Sequence, residues 1–290
     1  MKKCCFLLKT KYLLVLISVC LMLLPLCGCE SGSSQSGDSP LDHNLPEIYF
    51  FNAGDADSFL VIYQDYSMLI DCGNKGFGNT ILAHLEELGI ERLDYLVISH
   101  FDKDHVGGAS QILRSIPVDH VLQSVTAEDS TVPDKYANAL SNGSISVQTL
   151  TQPVHLESGE LKTDIFPPAF DTYKDKSSNN SSLIISMSYA DTCVLFTGDA
   201  EDERINEFLS NGAGQYDLIK MPHHGKWSGS IKDLLETTQP TYAVICCEER
   251  SDVSSKTEKA LTESDTKTFF TGNGPITAVM AGAGIKILQN

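Results

Sequence analysis

Three short runs near the start of the chain, residues 47–51, 58–63 and 67–71, carry apolar or alternating side chains between turn formers and are predicted as β-strands. Asn79 is then expected to cap a helix. Its Ile81, Leu82, Leu85 and Leu88 share one face, and Gly89 ends it. A buried strand over 95–98 leads directly into His100, and a helix with Ile112, Leu113 and Ile116 inward follows Gly107-Gly108. A strand lies near Val121-Leu122. The stretch from Thr126 to Lys176 is poorly patterned, with strands, loops and a short helix near 136–140 expected. Regular alternation then returns: strands at 183–187 and 193–196, helix 201–209, strand 218–221, helix 231–236, strand 242–246, helix 256–261 and terminal strands. Antiparallel strands followed by alternating helices and strands predict an α/β or α+β sandwich.

The first residues read differently. Met1 to Lys11 holds four lysines and no acid, and an apolar run from Tyr12 to Leu26 follows. That is the charged and apolar layout of a secretory signal, too short for a spanning helix of ~20 residues. It ends in Leu26-Cys27-Gly28-Cys29, which resembles a bacterial lipobox, so residues 1–28 are expected to be removed and Cys29 to carry lipid. The Ser/Gly-rich tract 29–46 is expected to be a flexible tether of roughly 23 Å. Residues 47–290 are long enough for one domain with a proper core. The expected location is extracytoplasmic, with the membrane reached through the lipid on Cys29.

Charge narrows the partners. The chain carries 21 Lys+Arg against 38 Asp+Glu, and removing the first 28 residues leaves 17 bases and a balance of −21. Tight binding of duplex DNA is not expected, because no basic footprint is available to displace counterions. A small or surface-bound anionic substrate is. Outside the signal and Cys29, the cysteines are Cys72, Cys193, Cys246 and Cys247, whose spacing matches no zinc knuckle.

Candidate chemistry begins at Ser99-His100-Phe101-Asp102-Lys103-Asp104-His105-Val106-Gly107-Gly108, with four metal-capable side chains in six residues after a buried strand. Alternation sends His100 and Asp102 to one side, and a turn brings Asp104 and His105 round from another. Two imidazoles and two carboxylates at a strand end suit divalent cations. Apolar strands also deliver Asp71, Asp199 and the pair His223-His224 at their ends, where loops can orient them.

With these residues in place, the sequence resembles the metallo-β-lactamase superfamily, in the variant written His100-x-Asp102-x-Asp104-His105. The order of Asn52-Ala53-Gly54-Asp55-Ala56-Asp57-Ser58, Ser99 to Gly108, Asn180-Ser181-Ser182-Leu183, Thr197-Gly198-Asp199-Ala200 and Pro222-His223-His224-Gly225 is similar to that of the extracytoplasmic, nuclease-like domain of the ComEC DNA-uptake channel family. The resemblance covers residues 47–287 and implies a four-layer αββα sandwich with a dinuclear site on one edge. It implies that His100 and Asp102 hold a first metal, that Asp104, His105 and His223 hold a second, and that Asp199 bridges them. Asp71 is implied to orient a ligand histidine. His224 is implied to orient substrate, relay a proton or support a ligand. Asp57 falls in a family turn whose preceding Gly is Ala56 here, and a structural role is expected for it. Three departures stand out. The usual third histidine of the first metal is replaced by Asn179 and Asn180, Lys226 stands where relatives carry Ser, and 251–255 replace a His-Pro motif.

The expected function is hydrolysis by water activated on two divalent ions, zinc first and manganese at the weaker position, with Asp104, His224 and Asp71 as the catalytic set. Phosphodiesters fit best. A lactone or other acyl hydrolase is the alternative enzyme, and a non-catalytic metal-binding recognition domain is the alternative outside enzymes.

Overall fold

The computed structural model describes residues 43–127, 131–141, 145–170, 173–175 and 177–289, so the signal segment and Cys29 lie outside the described residues. The strands are β1 (Glu47–Phe50), β2 (Phe59–Tyr63), β3 (Tyr66–Ile70), β4 (Leu93–Ile98), β5 (Val118–Gln123), β6 (Ser146–Thr149), β7 (Val154–Ser158), β8 (Leu161–Phe166), β9 (Ile184–Tyr189), β10 (Thr192–Phe196), β11 (Leu218–Lys220), β12 (Tyr242–Ile245), β13 (Lys267–Phe270), β14 (Ile276–Met280) and β15 (Ile285–Gln289). The helices are α1 (Gly78–Glu87), α2 (Lys103–Val106), α3 (Ala109–Ser115), α4 (Asp134–Ser141), α5 (Asp202–Ser210), α6 (Ile231–Thr238) and α7 (Ser255–Glu263).

One sheet runs β15-β14-β1-β2-β3-β4-β5-β6 and the other β13-β12-β11-β10-β9-β8-β7. The pattern of side chains explains how they stack. Along β2, Phe59, Val61 and Tyr63 face the core between the sheets, while Leu60 and Ile62 face the outer core under the helices. Along β10, Val194 and Phe196 face the inter-sheet core, and Cys193 and Leu195 face the opposite outer core. Strands buried on both faces read as unbroken apolar runs because the two-residue period supplies both layers at once. Helices α1, α3 and α4 cover the first sheet through Ile81, Leu85, Ile112, Leu113 and Tyr136. Helices α5, α6 and α7 cover the second through Ile205, Phe208, Leu234, Leu235 and Leu261. The result is the expected αββα sandwich, in which each fully buried Phe or Leu contributes roughly 1.5–3 kcal/mol.

Strand direction decides where chemistry can collect. β3, β4, β5 and β6 pair in parallel, as do β10, β11, β12 and β13. The carboxyl ends of β3, β4, β10 and β11 are followed directly by the candidate residues, in the position where ligands bind to parallel sheets.

Some expectations needed correction. Asn79 does not cap α1: the capping position is Phe77, and Asn79 sits inside the helix, accepting a bond from Gln111 Nε2 at 3.0 Å. The described end of the tether, 43–46, is tied down: Gln64 N donates to His43 O at 2.9 Å and Met280 N to Pro46 O at 2.9 Å. Among the described residues no helix is long and apolar enough to cross a membrane. Cys72, Cys246 and Cys247 are free and buried, and Cys193 is buried in the second outer core.

Candidate metal centre

The segment after β4 folds back at once into α2, so His100, Asp102, Asp104 and His105 are presented from one tight bend. Gly108 lets that bend seat against the first sheet, since a Cβ there would lie 2.3 Å from Cys72 O. From the other sheet, the turn after β10 uses Gly198 at φ 53, where a Cβ would come within 2.9 Å of the Ser182 side chain, and so swings Asp199 inward.

Four side chains converge: Asp104, His105, Asp199 and His224 offer ligand atoms that all lie within 4.8 Å of one another. His105 Nε2 is 3.3 Å from Asp199 Oδ2. His224 Nε2 is 3.2 Å from the same oxygen and 3.4 Å from Asp104 Oδ2. Each imidazole is anchored by its other nitrogen. His105 Nδ1 donates to Asp71 Oδ2 at 2.8 Å, and His224 Nδ1 donates to Cys246 O at 3.1 Å. Asp71 is itself held, accepting from Ser99 N at 2.8 Å and Ser99 Oγ at 2.6 Å, with its backbone left-handed at φ 55. The Nε2 atoms of His100, His105 and His224 are buried without a well-directed hydrogen-bond partner. Buried imidazole lone pairs left open beside carboxylates are what a divalent cation requires, and anchoring the far nitrogen is the usual way to aim them.

His100 stands next to this group, its ring 4.0 Å from that of His105 and its Nε2 3.8 Å from Asp102 Oδ2. Ser99 Oγ and Ser182 Oγ lie 3.1 and 3.4 Å from its Nδ1. The neighbouring asparagines are committed elsewhere. Asn180 Oδ1 accepts from Glu201 N and Arg204 N, and its amide donates to Asp175. Asn179 donates to Glu201 Oε1 at 2.8 Å. The Asn180 amide oxygen, the atom that could ligate, is thus taken, whereas Asn179 is held through its amide nitrogen.

The structure exchanges the places expected of two neighbours. His224, not His223, stands in the cluster. His223 faces Glu201, with Nδ1 3.1 Å from Glu201 Oε1, and Lys226 Nζ lies 2.9 Å from its Nε2. The cause is local: His223 and His224 are both left-handed, at φ 47 and 53, and Gly225 continues the turn at φ 76. Side-chain-bearing residues in this region cost on the order of 1–3 kcal/mol each and persist where the surroundings hold them.

Comparisons with known proteins bear on this arrangement. Residues 52–249 match the metallo-beta-lactamase superfamily, from the loop after β1 to the loop beyond β12. The chain belongs to this superfamily. It is 24% identical over 218 residues to ComE operon protein 3 of Bacillus subtilis, covering 69% of this chain and 28% of that protein. It is 26% identical over 204 residues to Recombination protein 2 of Haemophilus influenzae, covering 69% and 24%. The chain thus spans about a quarter of the length of these relatives. Among solved structures, the metallo-beta-lactamase fold protein YhfI from Bacillus subtilis aligns with a TM-score of 0.51 at 12% identity, over 84% of this chain and 100% of that one.

Of two further residues at this metallo-β-lactamase site, Lys220 went unread in the sequence and Asp57 was read only as a structural turn residue. Lys220 is completely buried at the end of β11, paired with Asp57, donating to Gly198 O at 2.9 Å and lying 3.3 Å from Asp199 Oδ1. Burial would lower its pKa, but Asp57 and Asp199 outweigh burial and keep it charged. Asp57 is equally buried and lies 3.8 Å from His105 Nδ1 and 3.7 Å from His224 Nδ1, so its turn reaches the centre itself. The signal was present in the sequence: a lysine closing an apolar strand is buried only with a partner.

Without a cation, the site's acids act on its imidazoles. Burial pushes the His224 imidazole down, but Asp199, Asp104 and Asp57 together outweigh it and raise the pKa to about 9. His105 is likewise lowered by burial and raised further by Asp199 and Asp71, ending well above its ordinary value. His100, deeply buried and beside His105, falls to about 4. A folded-state pKa above the unfolded value gives stability that is complete below ~6.5 and is lost as pH rises through the folded value. In chelator, the melting temperature should therefore fall between pH 6.5 and 9, on the order of 5 °C. A flat profile across that window, read by calorimetry, would contradict the arrangement.

Proposed function

We infer that the chain is a metal-dependent phosphodiesterase working outside the cytoplasm, anchored through lipid on Cys29. The observation that carries the metal part is the convergence of Asp104, His105, Asp199 and His224, with both Nε2 atoms buried and open and both Nδ1 atoms held. This mixed nitrogen and oxygen set suits zinc. His100 and Asp102, sharing Asp199, would hold a second cation more weakly, and one imidazole among oxygens accepts manganese as well. A divalent cation at this centre supplies a Lewis acid that acidifies water and offsets charge developing on the attacked group.

The chain's own residues supply the geometry. Asp71 fixes the tautomer and direction of His105. Cys246 O does the same for His224. Lys220 holds Asp199 Oδ1, leaving Oδ2 turned to the two imidazoles. A phosphoryl group, with its anionic oxygens, would suit a centre that held divalent cations, and the resemblance to a nuclease-like domain supports the same substrate class. The balance of −21 argues for small or surface-bound phosphodiesters rather than long duplex DNA. The engagement of the Asn180 amide oxygen favours one competing reading, a metal-binding recognition domain without turnover.

Chelator-treated protein, reloaded with zinc or manganese, should hydrolyse phosphodiester chromogens and leave lactones and β-lactams intact. Mild chelation should leave about one metal per chain, and Asp102→Asn should mainly raise the metal concentration needed. Turnover of lactones alone would make it an acyl hydrolase. Metal uptake with no turnover would leave the recognition domain. Protein taken from membranes should carry an acylated Cys29 peptide by mass spectrometry, and an unmodified N-terminus at Met1 would refute the anchor.

A further inference from the structure

A cavity of about 330 Å³ opens between the start of α5 and the turn after β11, with His223, Lys226, Trp227, Glu201, Asp202 and Asp175 in its wall. It adjoins the metal centre, because the left-handed turn that sends His224 to the carboxylates sends His223 here, with ring centroids 6.3 Å apart. At the lower end of the size range of small-molecule pockets, it has room for one compact group and not for an oligomer.

The charges in the wall differ in availability. Glu201 accepts from Asn179 and lies against His223 Nδ1, and that hydrogen bond holds its carboxyl below the ordinary range. Asp202 accepts from Ser230 N at 2.7 Å, and Asp175 from Asn180 Nδ2 and from Ser177 N at 3.0 Å. These acids are occupied. Lys226 is exposed and rests on the His223 ring at 2.9 Å, and among the described residues it forms no ion pair. An ammonium with free N–H donors at the mouth of a cavity beside a metal centre is placed to meet an anionic oxygen. The half-buried indole beside it offers a flat apolar surface.

We propose that this cavity is the subsite for one half of the substrate, a single phosphate bearing a flat ring, the chemistry of a nucleoside monophosphate, with Lys226 on the phosphate and Trp227 against the ring. The proposal rests on the phosphodiesterase reading. The three wall carboxylates oppose additional negative charge, so the subsite selects one phosphate rather than a run of them.

Trp227 is the single tryptophan of the chain and lines this cavity, so its fluorescence reports a ligand bound there. Zinc-loaded full-length protein is titrated with adenosine monophosphate, inorganic phosphate and adenosine, with calorimetry as a second measure of the same binding. Adenosine monophosphate should bind saturably, with inorganic phosphate and adenosine each at least about tenfold weaker. Lys226→Gln should weaken the nucleotide about tenfold or more without changing zinc content, and Lys226→Arg should retain most of the affinity. Equal affinity in Lys226→Gln, or inorganic phosphate binding as tightly as the nucleotide, overturns the subsite. Phosphodiester hydrolysis without Lys226-dependent binding refutes the subsite and leaves the activity standing. Lys226-dependent binding without hydrolysis supports the subsite and refutes the activity.

Discussion

His224→Ala should strip the centre of its cation, whereas His223→Ala should leave it bound. The two residues are adjacent, equally metal-capable and indistinguishable in composition, yet only His224 Nε2 comes within 3.2 Å of Asp199 and 3.4 Å of Asp104. Loss of a group that merely orients a ligand already costs about 10–100-fold in metal affinity, so removal of a ligand itself should exceed about 100-fold. His223→Ala should stay within about threefold of the parent, since its partners are Glu201 and Lys226 rather than the cluster. Asp104→Asn, acting on the same donor set, should abolish turnover. Competition against a chromophoric chelator measures all three variants. Equal losses in the two histidine variants, or loss confined to His223→Ala, would return the ligand role to His223.

Lys220→Met should cost about 3–5 kcal/mol of stability in the metal-free protein, because it leaves Asp57 and Asp199 buried without their cation. For a domain of this size that is a fall in melting temperature of about 10 °C. Asp57→Asn combined with Lys220→Met should recover part of the loss, since the double change removes one of the stranded charges with the lysine. Thermal unfolding in chelator checks both. A single variant within about 1 kcal/mol of the parent would mean that water reaches these carboxylates and that the pairing matters little.

Much of the sandwich was legible because strands such as β2 and β10 are buried on both faces and so announce themselves as apolar runs. The edge elements were not. β6 is exposed throughout and β7 has no fully buried residue, so neither carries a hydrophobic pattern, and both fell in the poorly patterned stretch where strands were expected but not placed. That Asp71, His100, Asp104, His105 and Asp199 come together was legible, because their segments follow strand ends. The exchange of His223 and His224 was not, since residue order does not reveal a left-handed turn that splays neighbouring side chains apart. Asp57 and Lys220 were missed for a related reason. Each was read within its own segment, as a turn residue and as the end of a strand, and their meaning lies in the pairing across 163 positions of chain, which only the fold supplies.

The donors come from two different sheets. Asp104 and His105 follow β4 of the first sheet, and Asp199 and His224 follow β10 and β11 of the second. A fragment ending at Ser182 would own half a grip and hold a cation poorly. A cation held by all four donors would join the two sheets and act as a clasp between them. A cation at a hundred times its dissociation constant adds about 2.7 kcal/mol to that closure. Cation supply would thus help to set how long the finished molecule survives proteases.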